Sequence, residues 1–211
     1  TQNQAFSALL FLYENVLDQP LDRVRGVVRA NRPARLPVVM TVDEVRAVLE
    51  QLSGVKRLVC EVLYGGGLRL EEALHMRVKD LDFGANQITV RDGKGQVDRV
   101  TIFPQAIQPS TRDHLDRVRN LHRHDLSDGF GRTTMPDALA RKYPNANRQW
   151  CWQYVFPSTR MCRDRKTGLT YRHHLHDSTM SDAIHAAVAA SGVTKNVSSH
   201  TFRHCFATHL L

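Results

Sequence analysis

The sequence predicts a mainly α-helical domain with a small antiparallel β-sheet. Three observations predict it. Apolar residues recur at helical spacing in several separate stretches, Thr41-Val42-Asp43-Glu44 forms a capping box, and two short strand-like runs flank the turn signal Asp92-Gly93-Lys94-Gly95.

Taken in order, residues 5–17 carry Phe6, Leu9, Leu10, Tyr13, Val16 and Leu17 as a helical stripe that Asp18 and Pro20 end. Residues 23–37 are basic and irregular, with Arg23, Arg25, Arg29, Arg32 and Arg35 around Pro33 and Pro37. They read as a linker able to lie along a phosphate backbone, or as an ordinary surface connector. At Thr41 a new domain starts, and Val45, Val48, Leu49 and Leu52 form the buried face of its first helix. A second helix over 55–64 runs into Gly65-Gly66-Gly67, and a third covers 70–76. Strands follow over 88–91 and 97–103, then a charged helix over 109–124. Residues 125–152 fit no simple period. Asp177 caps a helix with Met180, Ile184 and Val188 inward, closed by Gly192, and Ser198 or Ser199 opens the last one.

The 211 residues carry 29 Lys and Arg against 21 Asp and Glu, a net charge of +8 that suggests a polyanionic partner, nucleic acid first. A hydrophobic share of 42% is ordinary for a globular chain, and no run of about 18 apolar residues suggests a membrane span. Cys60, Cys151, Cys162 and Cys205 show neither a CxxC pair nor a framework spacing, so they read as reduced thiols of a cytoplasmic protein. The chain opens on Thr rather than Met and closes in mid-pattern, as a piece cut from a longer one would.

Three features carry chemistry together. Arg69 follows the glycine turn, three residues before Glu72, so the carboxylate can steady the guanidinium on one helix face. The glycines are no phosphate loop, since no strand precedes them and no Gly-Lys-Ser/Thr follows. Lys94 stands at a hairpin tip between two glycines, where an ammonium can enter a DNA groove. His200-Thr201-Phe202-Arg203 puts His200 and Arg203 on one helical face. Each is common alone; in this order, in a basic chain, they are rare.

Leu63 to Arg69, Asp92 to Gly95 and His200 to Leu210 resemble, in order, the signatures of tyrosine recombinases, the phage-integrase class. Two further stretches, Ala138-Leu139-Ala140-Arg141-Lys142-Tyr143-Pro144-Asn145-Ala146 continuing to Trp150-Cys151-Trp152, and Arg172-His173-His174-Leu175, are similar to segments of integron integrases. The resemblance implies residues 1–22 as the end of an amino-terminal DNA-clamping domain, 23–37 as the linker, and 38–211 as a catalytic domain incomplete at its C-terminus, with an integron-type insertion over about 125–152.

It also implies a mechanism. A tyrosine attacks the scissile phosphate, forming a 3′-phosphotyrosyl link and freeing a 5′ hydroxyl. Arg69 and Arg203 fork onto the nonbridging oxygens, a geometry lysine cannot copy, and Glu72 supports them. His200 hydrogen-bonds the phosphate or handles the nucleophile's proton, and Lys94 protonates the leaving oxygen. Neither a metal nor another cofactor is required.

The subfamily implies gene-cassette exchange at folded single-stranded sites, in a nucleoid-associated synaptic tetramer of the full-length protein. Trp152 and His173 would contact unpaired bases, with Lys142 and Tyr143 as their neighbours. The alternative for Trp152 is packing beside Phe156. Arg91 departs from the pattern, standing where an aromatic would stack. None of Tyr13, Tyr64, Tyr143, Tyr154 or Tyr171 follows the His200 to Arg203 motif, so this chain alone is expected to bind DNA without cutting it. The competing readings are a non-catalytic DNA-binding module descended from recombinases, and a zinc hydrolase using the histidine runs. The latter lacks an HExxH motif.

Overall fold

The computed structural model describes residues 2–21, 36–91, 98–165 and 167–210. Contacts divide the chain into Thr1–Leu36 and Pro37–Leu211. In the first unit, α1 (Gln2–Phe11) passes into a π-helical turn, Leu12–Val16, with no residue buried. The linker arginines expected to follow phosphate lie among residues 22–35, outside the described residues.

The second unit begins with α2 (Val42–Glu50). The capping box forms: Thr41 N donates to Glu44 Oε2 at 2.7 Å and Glu44 N to Thr41 Oγ1 at 3.2 Å. Next, α3 (Gly54–Gly66) ends at Gly67, whose φ of 61° is a left-handed cap that a side chain would resist. A Cβ at Gly67 would also collide with the Phe206 ring, so this glycine lets the last helix lie close against the turn. Then α4 (Leu70–Leu74) is shorter than the sequence suggests.

Strands β1 (Leu81–Asp82), β2 (Gln87–Val90) and β3 (Arg99–Ile102) form an antiparallel sheet in that order, with Val90 opposite Arg99. Residues 92–97 between β2 and β3, which include Lys94 and the expected hairpin tip, lie outside the described residues. Helix α5 (Gln108–Ser127) runs three residues past its expected end at His124, into the segment expected to be irregular from Asp125. That carboxylate is buried and held by Arg172, which keeps the last turn helical. The segment after it contains α6 (Asp137–Lys142) and two 3-10 turns, Ala146–Arg148 and Trp150–Trp152.

A second antiparallel pair, β4 (Pro157–Arg163) with β5 (Thr170–His174), was not legible in the sequence. The chain continues with α7 (Asp177–Ser191), capped by His176 rather than Asp177, and α8 (Ser199–His209), opened by Ser198. One core joins Leu63, Leu68, Phe103, Phe156, Ile184 and Phe202. All four cysteines are free thiols, and no described helix is long and apolar enough to cross a membrane.

Candidate functional site

Glu72 is the centre of the site. Its side chain is 7% exposed, while those of Arg69, Arg99 and Arg203 around it are 33%, 32% and 31% exposed. Arg69 donates twice, from its backbone N to Oε2 at 2.8 Å and from Nη1 to Oε1 at 2.7 Å. Arg99 forks onto both oxygens, Nη1 to Oε1 at 2.8 Å and Nη2 to Oε2 at 2.7 Å. Arg203 stands 3.6 Å from Oε2 and donates to the carbonyl of Gly67.

Local folding explains the convergence. Arg69 is the N-cap of α4, so its extended backbone turns its N–H toward Glu72 at the third helical position. Arg203 comes from the middle of α8, which is fixed to the start of the unit by Met40 N donating to Cys205 Sγ and by His209 Nε2 paired with Met40 O at 3.0 Å. Burial alone would raise the Glu72 pKa; the hydrogen bonds from Arg99 and Arg69 override it and bring it to about 2. Burial, then the charge of Arg69, lowers that of Arg203, while Glu72 acts to raise Arg99. Three fixed cations around one anion leave two positive charges in surplus at a partly open surface. Such a place receives an anion.

The sequence pointed to Arg69, Glu72 and Arg203, and the structure brings these three together. It missed Arg99, whose signal was only a basic residue at the start of a predicted strand. His200 lies exposed in the first turn of α8, its ring 6.3 Å from that of His204, one helical turn from Arg203.

Glu72 also lines a cleft of about 530 Å³ whose walls include Arg77, Lys79, Arg91, Trp152, Tyr154 and His173. Trp152 is half-buried and stays outside the core, whereas Trp150 packs against it. His173 is half-buried, 4.0 Å from the His174 ring and 5.7 Å from the Tyr154 ring; burial, then His75, pushes its pKa down. Arg91 donates to Asp80 Oδ1 at 2.7 Å on the cleft wall. Lys142 and Tyr143 lie apart from this cleft, in an exposed groove that Trp152 also borders, with the Lys142 ammonium 5.3 Å from the Tyr143 ring.

Arg77, which the sequence did not single out, ties these parts together. It donates to the carbonyls of Trp152 at 2.6 Å and Thr134 at 2.8 Å and lies 4.5 Å over the Tyr154 ring. Among the described residues, no three His, Cys, Asp or Glu side chains converge as a metal site would require.

Residues 38–211 match the phage integrase family. The chain belongs to that family. It is 44% identical over 211 residues to an integrase/recombinase of Escherichia coli, covering all of this chain and 63% of that protein. It is 31% identical over 201 residues to the tyrosine recombinase XerD of Mycobacterium tuberculosis (strain CDC 1551 / Oshkosh), covering 90% of this chain and 53% of the relative. This phage-integrase chain thus spans less than two thirds of the length of either. Its fold is similar to a crystal structure of XerA recombinase, with a TM-score of 0.56 and 25% identity over 99% of this chain and 61% of that one. The fold of XerH recombinase bound to difH substrate is also similar, with a TM-score of 0.54 and 18% identity over 97% of this chain and 52% of that one.

Proposed function

We propose that this chain is the phosphate-handling part of a site-specific DNA recombinase, with Arg69, Arg203, His200 and Lys94 as its catalytic groups and Glu72 as their support. The observation that carries the reading is the set of three guanidinium groups on one buried carboxylate. A phosphodiester carries one negative charge and its five-coordinate transition state another, which the site's surplus of two balances. Preorganised cations of this kind lower the barrier because they need no rearrangement when the charge develops. His200, exposed at the first turn of α8, is free to meet a proton or a nonbridging oxygen once DNA is bound. Support also comes from the similar fold of XerH site-specific recombinase, whose solved structure is bound to difH substrate.

The narrower reading is an integron integrase that exchanges cassettes at folded single-stranded sites, as a tetramer of the whole protein. Its support is the cleft that Glu72 shares with Trp152 and His173, which puts an aromatic face and an imidazole beside the phosphate site. Residues after α5 would then recognise unpaired bases, with Lys142 and Tyr143 on the neighbouring groove.

Salt-dependent binding tests the phosphate reading. Arg69→Ala and Arg203→Ala should each weaken duplex binding and reduce the slope of log affinity against log salt by about one. Slopes equal to that of the unmodified chain would mean that these guanidinium groups meet no phosphate.

A further inference from the structure

The Trp152 face that a base would use in the cleft is already covered. The Lys79 ammonium lies 3.1 Å from the centre of the ring, with the Arg77 guanidinium at 5.7 Å. This facing is built by the backbone. Lys79 sits on a 3-10 turn, Val78–Asp80, stitched to the Trp152 segment by Val78 N donating to Gln153 O at 3.0 Å and Val155 N to Met76 O at 2.9 Å. No hydrogen bond or ion pair holds the Lys79 ammonium among the described residues; Asp80, the acid beside it, accepts from Arg91 and from the Arg77 backbone. Burial, and next the charge of Arg91, lower its pKa from the ordinary lysine value. The aromatic face and Asp80 therefore attract this cation while Arg91 and Arg77 repel it.

We propose that Lys79 is a specificity-determining residue for unpaired nucleotides, giving up the Trp152 face to a base only when the nucleotide's phosphate takes over its ammonium. The inference rests on Trp152 as a base platform and adds what controls access to it. Base and ammonium need the same volume above the ring, so both cannot be there. A cation over an indole and a base stacked on one are interactions of similar size, so stacking is nearly offset by the loss of the cation. A phosphate arriving with the base offsets part of that loss, since the displaced ammonium then gains an anion. A base without a nearby phosphate has no such compensation, and a duplex phosphate leaves Lys79 where it is.

The test uses the 211-residue chain and three DNA probes: a hairpin with one unpaired adenine, the same hairpin with an abasic nucleotide there, and a plain duplex of equal length. In the unmodified chain the adenine and abasic hairpins should differ in affinity by about threefold or less. Lys79→Ala, and Lys79→Gln, which keeps most of the stem without the charge, should raise that ratio to about tenfold or more while weakening duplex binding slightly. In a Trp150→Phe background, the emission of Trp152 without DNA should change on Lys79→Gln, reporting loss of the ammonium from the ring. A ratio unchanged or lowered in both variants, with duplex binding at most slightly weakened, overturns the role of Lys79 and leaves the recombinase reading standing. Failure of every probe to bind overturns both.

Discussion

Glu72 is one carboxylate among three guanidinium groups, and that imbalance makes the site sensitive to acid in a defined direction. Its pKa falls from 4.5 to about 2 in the folded chain, so the ionised form is favoured by folding. A depressed folded value contributes stability that is complete above the unfolded pKa and is lost as pH falls from about 4.5 through about 2. The contribution is on the order of 3 kcal/mol. Glu72→Gln should lose it at neutral pH and should show a flatter dependence of stability on pH in that window. Urea unfolding midpoints from pH 5 to pH 2 measure this; parallel curves for the two chains would mean that Glu72 is ionised as easily unfolded as folded. Arg69 and Glu72 were legible because their spacing is local. Arg99 was not: it reaches Glu72 only through the β2–β3 register, and a strand arginine in sequence reads as a solvated charge. The pairing of Lys79 with Trp152 was hidden for the same reason, since two turns far apart in sequence must first be stitched together.

Among the elements, the β4–β5 hairpin is tied to α5 by one buried ion pair. Arg172 donates from Nε and Nη2 to the two oxygens of Asp125, each at 2.7 Å, and from Nη1 to Ser158 O at 2.8 Å. The side chains are 11% and 7% exposed, so solvent screens the pair little. This contact fastens α5 to the strand that carries His173 into the cleft. Breaking a buried pair by removing one partner leaves the other charge uncompensated, so Asp125→Ala should cost roughly 3–5 kcal/mol. The double change Asp125→Leu with Arg172→Met should recover most of that loss. A measured loss below about 1 kcal/mol for Asp125→Ala would put the pair with ordinary surface bridges. The sequence revealed helices with clear caps and stripes, as in α2, α7 and α8. It concealed this hairpin because its strands mix Arg, His, Ser and Thr without alternation, and because the pair that locks it spans α5 and β5.

At the scale of the whole molecule, binding and chemistry separate. If DNA is the partner, as proposed, a net charge of +8 offers many independent phosphate contacts, and the 211-residue chain should bind duplex DNA with affinity that falls steeply as salt is added. On the proposed reading, covalent attack needs something more local, a tyrosine oxygen beside Arg69 and Arg203. The four tyrosines of the second unit are employed elsewhere or stand apart. The Tyr64 hydroxyl is paired with His209 Nδ1 at 2.8 Å, and that of Tyr154 with Thr134 Oγ1 at 2.6 Å. Tyr171 lies on β5 and Tyr143 on the exposed groove. None makes a hydrogen bond to Glu72 or to the three arginines among the described contacts. With fixed cations but no positioned nucleophile, only slow attack by water is open to a bound phosphodiester. The chain should therefore retain DNA in a mobility-shift assay and yield no covalent product on a nicked substrate that traps phosphotyrosyl links, read by denaturing electrophoresis. A covalent adduct, mapped to one of these four tyrosines, would show that DNA binding rearranges the unit enough to bring that hydroxyl to the arginines, and the separation of binding from chemistry would be wrong.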